Sequence, residues 1–270
     1  MPELPEVETI KNEIGPHLIG RTIERVELFW ERTVRQPTAR EFQERIAGQK
    51  ITGLGRRGKY LLLKLESGDI FVVHFKMTGS LWCSLPPEGM RFVRAVIRLD
   101  DGSSVYFRDP RKFGKMWLVR DSSVATGNMG PEPLEEPFTP QLLAERLAHH
   151  AIPVKAAILD QAVVAGIGNM YADEALHAAG IHPMRPANKL TPEEIQRLHH
   201  AIRQVLLAGI KQKGASVENY YRPDGTKGSA HYEFKVAHRR GEVCPKCGGP
   251  IQYIKVRGRG TYFCPKCQPV

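Results

Sequence analysis

Several things are scarce or missing in this 270-residue chain. No apolar run approaches the roughly 20 residues that span a bilayer, which excludes a membrane-spanning helix. The first residues are acidic and contain no apolar segment of the secretory type, so a cytosolic location is expected. No internal repeat and no low-complexity tract is present, which excludes a solenoid and a long disordered arm. Cysteine is rare and unevenly placed: there are five, and four of them lie in the last 27 residues. In a cytosolic protein that clustering points to a metal rather than to a disulfide framework. Acidic side chains are in the minority, with 29 Asp and Glu against 39 Lys and Arg, and the net charge of +10 points to a polyanionic partner such as nucleic acid.

The most unusual stretch that is present is the start, Met1-Pro2-Glu3-Leu4-Pro5-Glu6-Val7-Glu8-Thr9. A proline in second position normally permits removal of the initiator methionine. Pro2 would then carry a secondary amine, which can attack an aldehyde carbon and form an iminium. Glu3 stands beside it as a proton donor or shuttle. From Pro5 onward Val7, Ile10, Ile14 and Leu18 space a helical stripe, which Gly15-Pro16 is expected to interrupt. The N-terminal end of that helix favours anions near Pro2.

Residues 21–75 read mostly as strands. The segments 23–29, 59–65 and 70–75 carry the pattern, and 95–99 with 104–107 flank the hairpin signal Asp100-Asp101-Gly102. The Pro- and Gly-rich stretch 127–138 reads as a linker. Helical signals follow at 139–147, 153–162 and 169–179, and Thr191-Pro192-Glu193-Glu194 opens the longest helix. Residues 215–241 read as a loop or lid.

Cys244-Pro245-Lys246-Cys247 and Cys264-Pro265-Lys266-Cys267, sixteen residues apart, match a four-cysteine zinc ribbon. Four thiolates close the coordination sphere, so one structural zinc is expected. Lys255, Arg257 and Arg259 between the pairs suit phosphate contact. Ala165-Gly166-Ile167-Gly168-Asn169 places glycines and a helix N-terminus where a phosphate can approach. Lys59 follows Gly58 at a strand start. Met77 and Phe113 sit on turns next to basic residues, in His74-Phe75-Lys76-Met77-Thr78-Gly79 and Arg108-Asp109-Pro110-Arg111-Lys112-Phe113-Gly114, as wedges for a base stack would.

Taken together these motifs resemble the formamidopyrimidine-DNA glycosylase family across essentially the whole chain. The resemblance implies an α+β multidomain fold: an N-terminal β-sandwich with flanking helices over residues 1–130, a helical helix-two-turn-helix domain with the lesion loop over 131–236, and a zinc β-hairpin over 237–270. It implies a bifunctional glycosylase and abasic-site lyase acting on double-stranded DNA with damaged bases, as a monomer and with no membrane role. Pro2 would attack C1′ of a nucleoside whose base is flipped out. Glu3, Lys59 and Arg259 would serve base loss and β,δ-elimination, and Glu6 would line the lesion pocket. His74, Met77, Arg111, Phe113, Lys155, Asn169 and Tyr171 would contact DNA. The sequence departs from the family pattern at Lys76 and Lys112, which replace a usual Gly and Arg, and at Gly228-Ser229-Ala230 in the lesion loop. An endonuclease VIII-like enzyme for oxidised pyrimidines and a non-catalytic damaged-DNA binder are the alternatives. The Glu-Leu-Pro-Glu start with Arg111 and Phe113 argues against the first, and intact Pro2, Glu3 and Lys59 against the second.

Overall fold

A computed structural model describes residues 1–270. The chain forms two units, residues 1–128 with 212–229, and residues 129–211 with 230–270. The segment 212–229, expected in the helical domain, therefore belongs with the first unit.

The first unit begins with α1, Leu4–Leu18. Pro5 costs nothing in the first turn, and the Glu6 carboxylate accepts the Glu3 amide at 2.8 Å, so the first turn is satisfied by its own residues. The helix does not stop at Gly15-Pro16. Pro16 lies in the last turn, where the one hydrogen bond it removes ends a ladder that is finishing anyway. β1 (Thr22–Leu28) and the short β2 (Val34–Gln36) precede α2 (Ala39–Ile46). This helix interrupts a region expected to be mostly strand. Its own signal is nonetheless local, since Thr38 caps Glu41 and Phe42 and Ile46 share one buried face.

The remaining strands of this unit are β3 (Gln49–Arg57), β4 (Tyr60–Leu65), β5 (Ile70–His74), β6 (Ser80–Trp82), β7 (Val93–Leu99), β8 (Ser104–Arg108) and β9 (Lys115–Val119). A short α3 (Ser123–Thr126) ends the first stretch. The strands form one ladder in the order β2-β9-β5-β4-β3-β1-β7-β8-β6. β1 and β3 share only the pairs Thr22↔Lys50 and Ile23↔Gln49, so the ladder is weakly joined at that point and folds into two layers. Alternating residues of both layers enter one core, among them Leu61, Leu63, Phe71 and Val73 from one side and Val26, Ile97, Val105 and Phe107 from the other. Val7, Ile10, Ile14 and Leu18 of α1 close the same core, as their spacing predicts.

The second unit contains α4 (Pro140–Ala148), α5 (Val154–Ile158), α6 (Asn169–Ala179) and α7 (Pro192–Lys211), then the hairpin β10 (Gln252–Val256) and β11 (Arg259–Phe263). α5 is shorter than the helix expected over 153–162. Its carbonyls are taken up by turns that lead to Gly166. α6 ends on Gly180 in the left-handed conformation, which only glycine adopts without strain. Tyr171 packs against Gly209 of α7, where an added Cβ would lie 2.6 Å from the ring. No helix is long and apolar enough to cross a membrane.

Candidate active site and DNA-contact residues

Pro2 and Glu3 lie immediately before α1, and both are buried. Glu6, one turn on, is completely enclosed. One of its carboxylate oxygens takes the Glu3 amide. The other takes the amide of Ala215 at 2.8 Å, from the loop that re-enters this unit after α7. Glu6 therefore fastens the start of α1 to the 212–229 segment. Gly214, at φ +81°, makes that approach possible, because a Cβ there would lie 2.9 Å from Glu6 Cγ and 2.8 Å from the Tyr220 ring. The loop is braced further by Gly228, whose amide donates to Ser216 Oγ at 2.9 Å, and by Arg222, which holds Glu13 of α1 at 2.7 Å.

Lys59 is buried in the turn that joins β3 to β4, where Arg57 pairs with Tyr60. Three residues earlier Arg56 donates to Glu8 of α1 at 2.8 Å, so this hairpin is tied to the first turns of the helix that follows Pro2. The carboxyl of Glu8 is held below the usual range. Burial works against that shift, and the hydrogen bonds from Lys11 and Arg56 outweigh it.

The two basic turns form a single assembly. Thr78 Oγ1 donates to one oxygen of Asp109, and the other oxygen accepts the Gly114 amide at 2.7 Å. The Arg111 amide reaches Thr78 Oγ1 at 3.3 Å. Asp109 itself is buried, so its carboxylate is committed to joining the turns. On this support Met77 and Phe113 remain 41% and 46% exposed, too much for core residues. The Arg111 guanidinium lies over the Phe113 ring at 4.7 Å, a cation–π arrangement. Lys76 and Lys112 both take left-handed backbone, at φ +52° and +60°. His74 explains the first of these. Its Nδ1 accepts the Lys76 amide at 2.9 Å, which fixes the turn and puts the ring proton on Nε2. Burial and the charges of Lys76 and Lys59 push its pKa down to about 3, so the ring is neutral.

The second unit carries the other residues singled out in the sequence. Arg259 opens β11 beside the two-residue turn Arg257-Gly258, whose positive φ values suit a tight hairpin, and it is exposed with no carboxylate partner. Asn169 is the first residue of α6, and its side-chain amide donates to the Gly260 carbonyl at 2.9 Å.

Lys155 and Tyr171, expected on DNA, are not surface residues. Lys155 is fully buried, and its ammonium is enclosed by Gly260 O at 2.9 Å, Thr261 Oγ1 at 2.8 Å and Asp173 at 2.6 Å. Asp173 completes the clamp by accepting the Tyr262 amide at 3.1 Å. Burial pushes the Asp173 carboxyl up to about 7 in spite of the neighbouring ammonium. Tyr171 is 1% exposed and packs edge-on against Phe234. Both side chains support the strand that bears Arg259 and the helix that begins at Asn169. A lysine in a short helix gives no sign in sequence that its charge is buried, and the partnership with Asp173 is visible only in three dimensions.

The sulfur atoms of Cys244, Cys247, Cys264 and Cys267 lie within 4.8 Å of one another. The pairs Cys244–Cys267 and Cys247–Cys264 are 3.8 and 3.4 Å apart. A tetrahedron with zinc–sulfur bonds of about 2.3 Å has edges of roughly 3.8 Å, so the four thiolates fit one zinc ion and leave no open position. His177 Nε2 lies 3.3 Å from the Cys244 sulfur.

Comparison with known proteins agrees with this geometry. The chain matches the family descriptions "Formamidopyrimidine-DNA glycosylase N-terminal domain" over residues 1–116, "Formamidopyrimidine-DNA glycosylase H2TH domain" over 129–220, and "Zinc finger found in FPG and IleRS" over 241–270. It is 45% identical to the formamidopyrimidine-DNA glycosylase of Symbiobacterium thermophilum, over all of this chain and 90% of that one. The crystal structure of the MutM (Fpg) protein of Thermus thermophilus superposes with a TM-score of 0.90 at 39% identity, covering 99% of this chain and 98% of that one. Lactococcus lactis Fpg in complex with DNA containing an abasic site gives 0.91 at 34% identity, covering 99% and 100%. With three family models matched along its length and a relative 45% identical over all of it, the chain belongs to the formamidopyrimidine-DNA glycosylase family.

Proposed function

We propose that this enzyme removes oxidised purines from duplex DNA and then nicks the strand at the abasic site, through an iminium formed on Pro2. The observation that carries this reading is the placement of Pro2 and Glu3 at the buried head of α1, with Lys59 on the hairpin tied to that helix by Arg56 and Glu8. Removal of Met1 frees the Pro2 nitrogen, which attacks C1′ as the glycosidic bond breaks. Glu3 handles the proton at the sugar oxygen. The resulting iminium acidifies the C2′ protons, so the 3′ phosphate and then the 5′ phosphate can leave without a redox cofactor. Lys59 assists the β-elimination, and Arg259 the δ-elimination. Arg259 and Asn169 bind phosphate, and Met77, Arg111 and Phe113 fill the space left by the extruded base.

Zinc supplies no chemistry to the reaction. It holds the hairpin that presents Arg259, through Cys244, Cys247, Cys264 and Cys267. Zinc-bound thiolates fit a reducing cytosol, which is where we place the enzyme.

Borohydride trapping is the direct test. Wild-type enzyme is expected to form a covalent adduct with a duplex carrying 8-oxoguanine or an abasic site, and its mass should lack the initiator methionine. Full activity in enzyme that retains Met1 would rule out the Schiff base on Pro2. A panel that adds formamidopyrimidine and 5-hydroxycytosine would show the purine preference, and a preference for the pyrimidine would support the endonuclease VIII-like alternative.

A further inference from the structure

A cationic surface adjoins the wedge turns and has no role in the reaction described above. The topology of the first unit assembles it. β2 runs parallel to β9 with Val34 beside Met116, which brings Arg35 next to Lys115. β5 runs antiparallel to β9 with His74 opposite Lys115, which brings Lys76 to the same end. The Lys115 ammonium donates to the Arg32 carbonyl at 2.8 Å. Trp30 contacts two cations, with the Lys112 ammonium 4.0 Å and the Arg32 guanidinium 5.6 Å from its ring centre.

None of Arg32, Arg35, Lys76, Lys112 and Lys115 forms an ion pair, although most arginines elsewhere in this unit do. The nearby Asp109 carboxylate is committed to Thr78 and Gly114. Glu31, the one acidic residue between Phe29 and Gln36, pairs with none of the five. Crowding is also evident at Lys115, whose pKa is lowered first by burial and then by Arg35 and Lys76, although Asp109 works in the opposite direction. Five like charges held together with no ion-pair partner, and with Asp109 as the one carboxylate acting on Lys115, mark a place for an external polyanion.

Lys76 immediately precedes Met77, and Lys112 stands between Arg111 and Phe113. The surface is thus continuous with the turns assigned to the base stack. We propose that Trp30, Arg32, Arg35 and Lys115, together with Lys76 and Lys112, bind backbone phosphates of the same duplex on one side of the lesion, beyond the wedge. Trp30 acts by fixing the directions of Lys112 and Arg32. This proposal rests on the DNA-repair reading above.

The test uses the full enzyme and a duplex with a non-cleavable abasic analogue. R32Q/R35Q should lower the slope of log Kd against log salt by about 1.8, since each lost phosphate contact is worth about 0.9. Between about 50 and 200 mM salt that difference makes the variant roughly tenfold less salt-sensitive than wild type. Duplexes trimmed stepwise from either end locate the contacts. Trimming one end should reduce the wild-type slope by the same amount, and the variant should be indifferent to it. Borohydride trapping on abasic DNA at saturating enzyme should be unchanged in the variant. An unchanged slope, or a slope change that persists on duplexes trimmed at both ends, would overturn the proposal while leaving the repair function intact. Failure of wild type to trap abasic DNA would instead overturn the repair reading itself.

Discussion

The buried ion pair behind Arg259 gives the sharpest quantitative expectation. Lys155 is wholly enclosed, Asp173 is 1% exposed, and the two are 2.6 Å apart. Replacing Lys155 with Met keeps the aliphatic volume and removes the ammonium. It leaves the Thr261 hydroxyl without its donor and Asp173 without its cation, and the Gly260 carbonyl with Asn169 as its one remaining side-chain donor. Breaking a buried pair from one side costs about 3–5 kcal/mol. A loss of that size lowers the melting temperature by roughly 10 °C in a domain of this scale. The cost depends on pH in a definite direction. Burial already raises Asp173 to about 7, and loss of Lys155 raises it further, so in the variant the carboxyl can escape the penalty by taking up a proton. K155M should therefore be less destabilised near pH 6 than near pH 8, because proton uptake by the folded state makes stability fall as pH rises. A double change, K155M/D173L, removes both charges and should recover most of the stability, as apolar replacements of buried pairs commonly do. Thermal unfolding at the two pH values is the assay, with amide exchange at 259–263 as the local readout. If K155M melts where wild type does, or if the double variant is no better than the single one, the clamp contributes nothing and Lys155 must act elsewhere.

Three further outcomes are expected. His74 has a folded pKa of about 3 against an ordinary 6.5, so the unfolded state binds the extra proton between these values and stability is lost as pH falls through that window. The full effect approaches about 4–5 kcal/mol at the acid end, and H74N should flatten the acid limb of a melting-temperature profile; an equally steep limb would count against a neutral buried ring. F113A should lose about 1–3 kcal/mol of binding to duplex abasic DNA and much less on single-stranded abasic DNA, where nothing has to be unstacked; equal losses would end the void-filling role. C244S should release zinc to a chromogenic chelator and weaken DNA binding, because removing one thiolate from a closed site costs folding energy, and retention of both metal and tight binding would refute it.

Sequence alone determined what depends on local spacing or on chemistry at a single residue. The two Cys-x-x-Cys pairs specify a four-thiolate site wherever the chain folds. The stripe from Val7 to Leu18 becomes the buried face of α1, and the Pro2-Glu3 start carries its reactivity in its own atoms. The segment 39–46 is legible as a helix from Thr38, Glu41, Phe42 and Ile46, and is obscured by its strand-rich surroundings. Tertiary structure decided what depends on groups far apart in sequence. Glu6 meets Ala215 across 209 residues, Thr78 meets Asp109 across 31, and Lys155 meets Thr261 across 106. Each partnership satisfies a charge or a polar group that burial would otherwise penalise, and no local pattern announces which distant group will arrive. For the same reason a lysine and a tyrosine expected on DNA are internal. Side-chain type gives the chemistry available at a position, but burial and partners decide whether it reaches a ligand or holds the protein together.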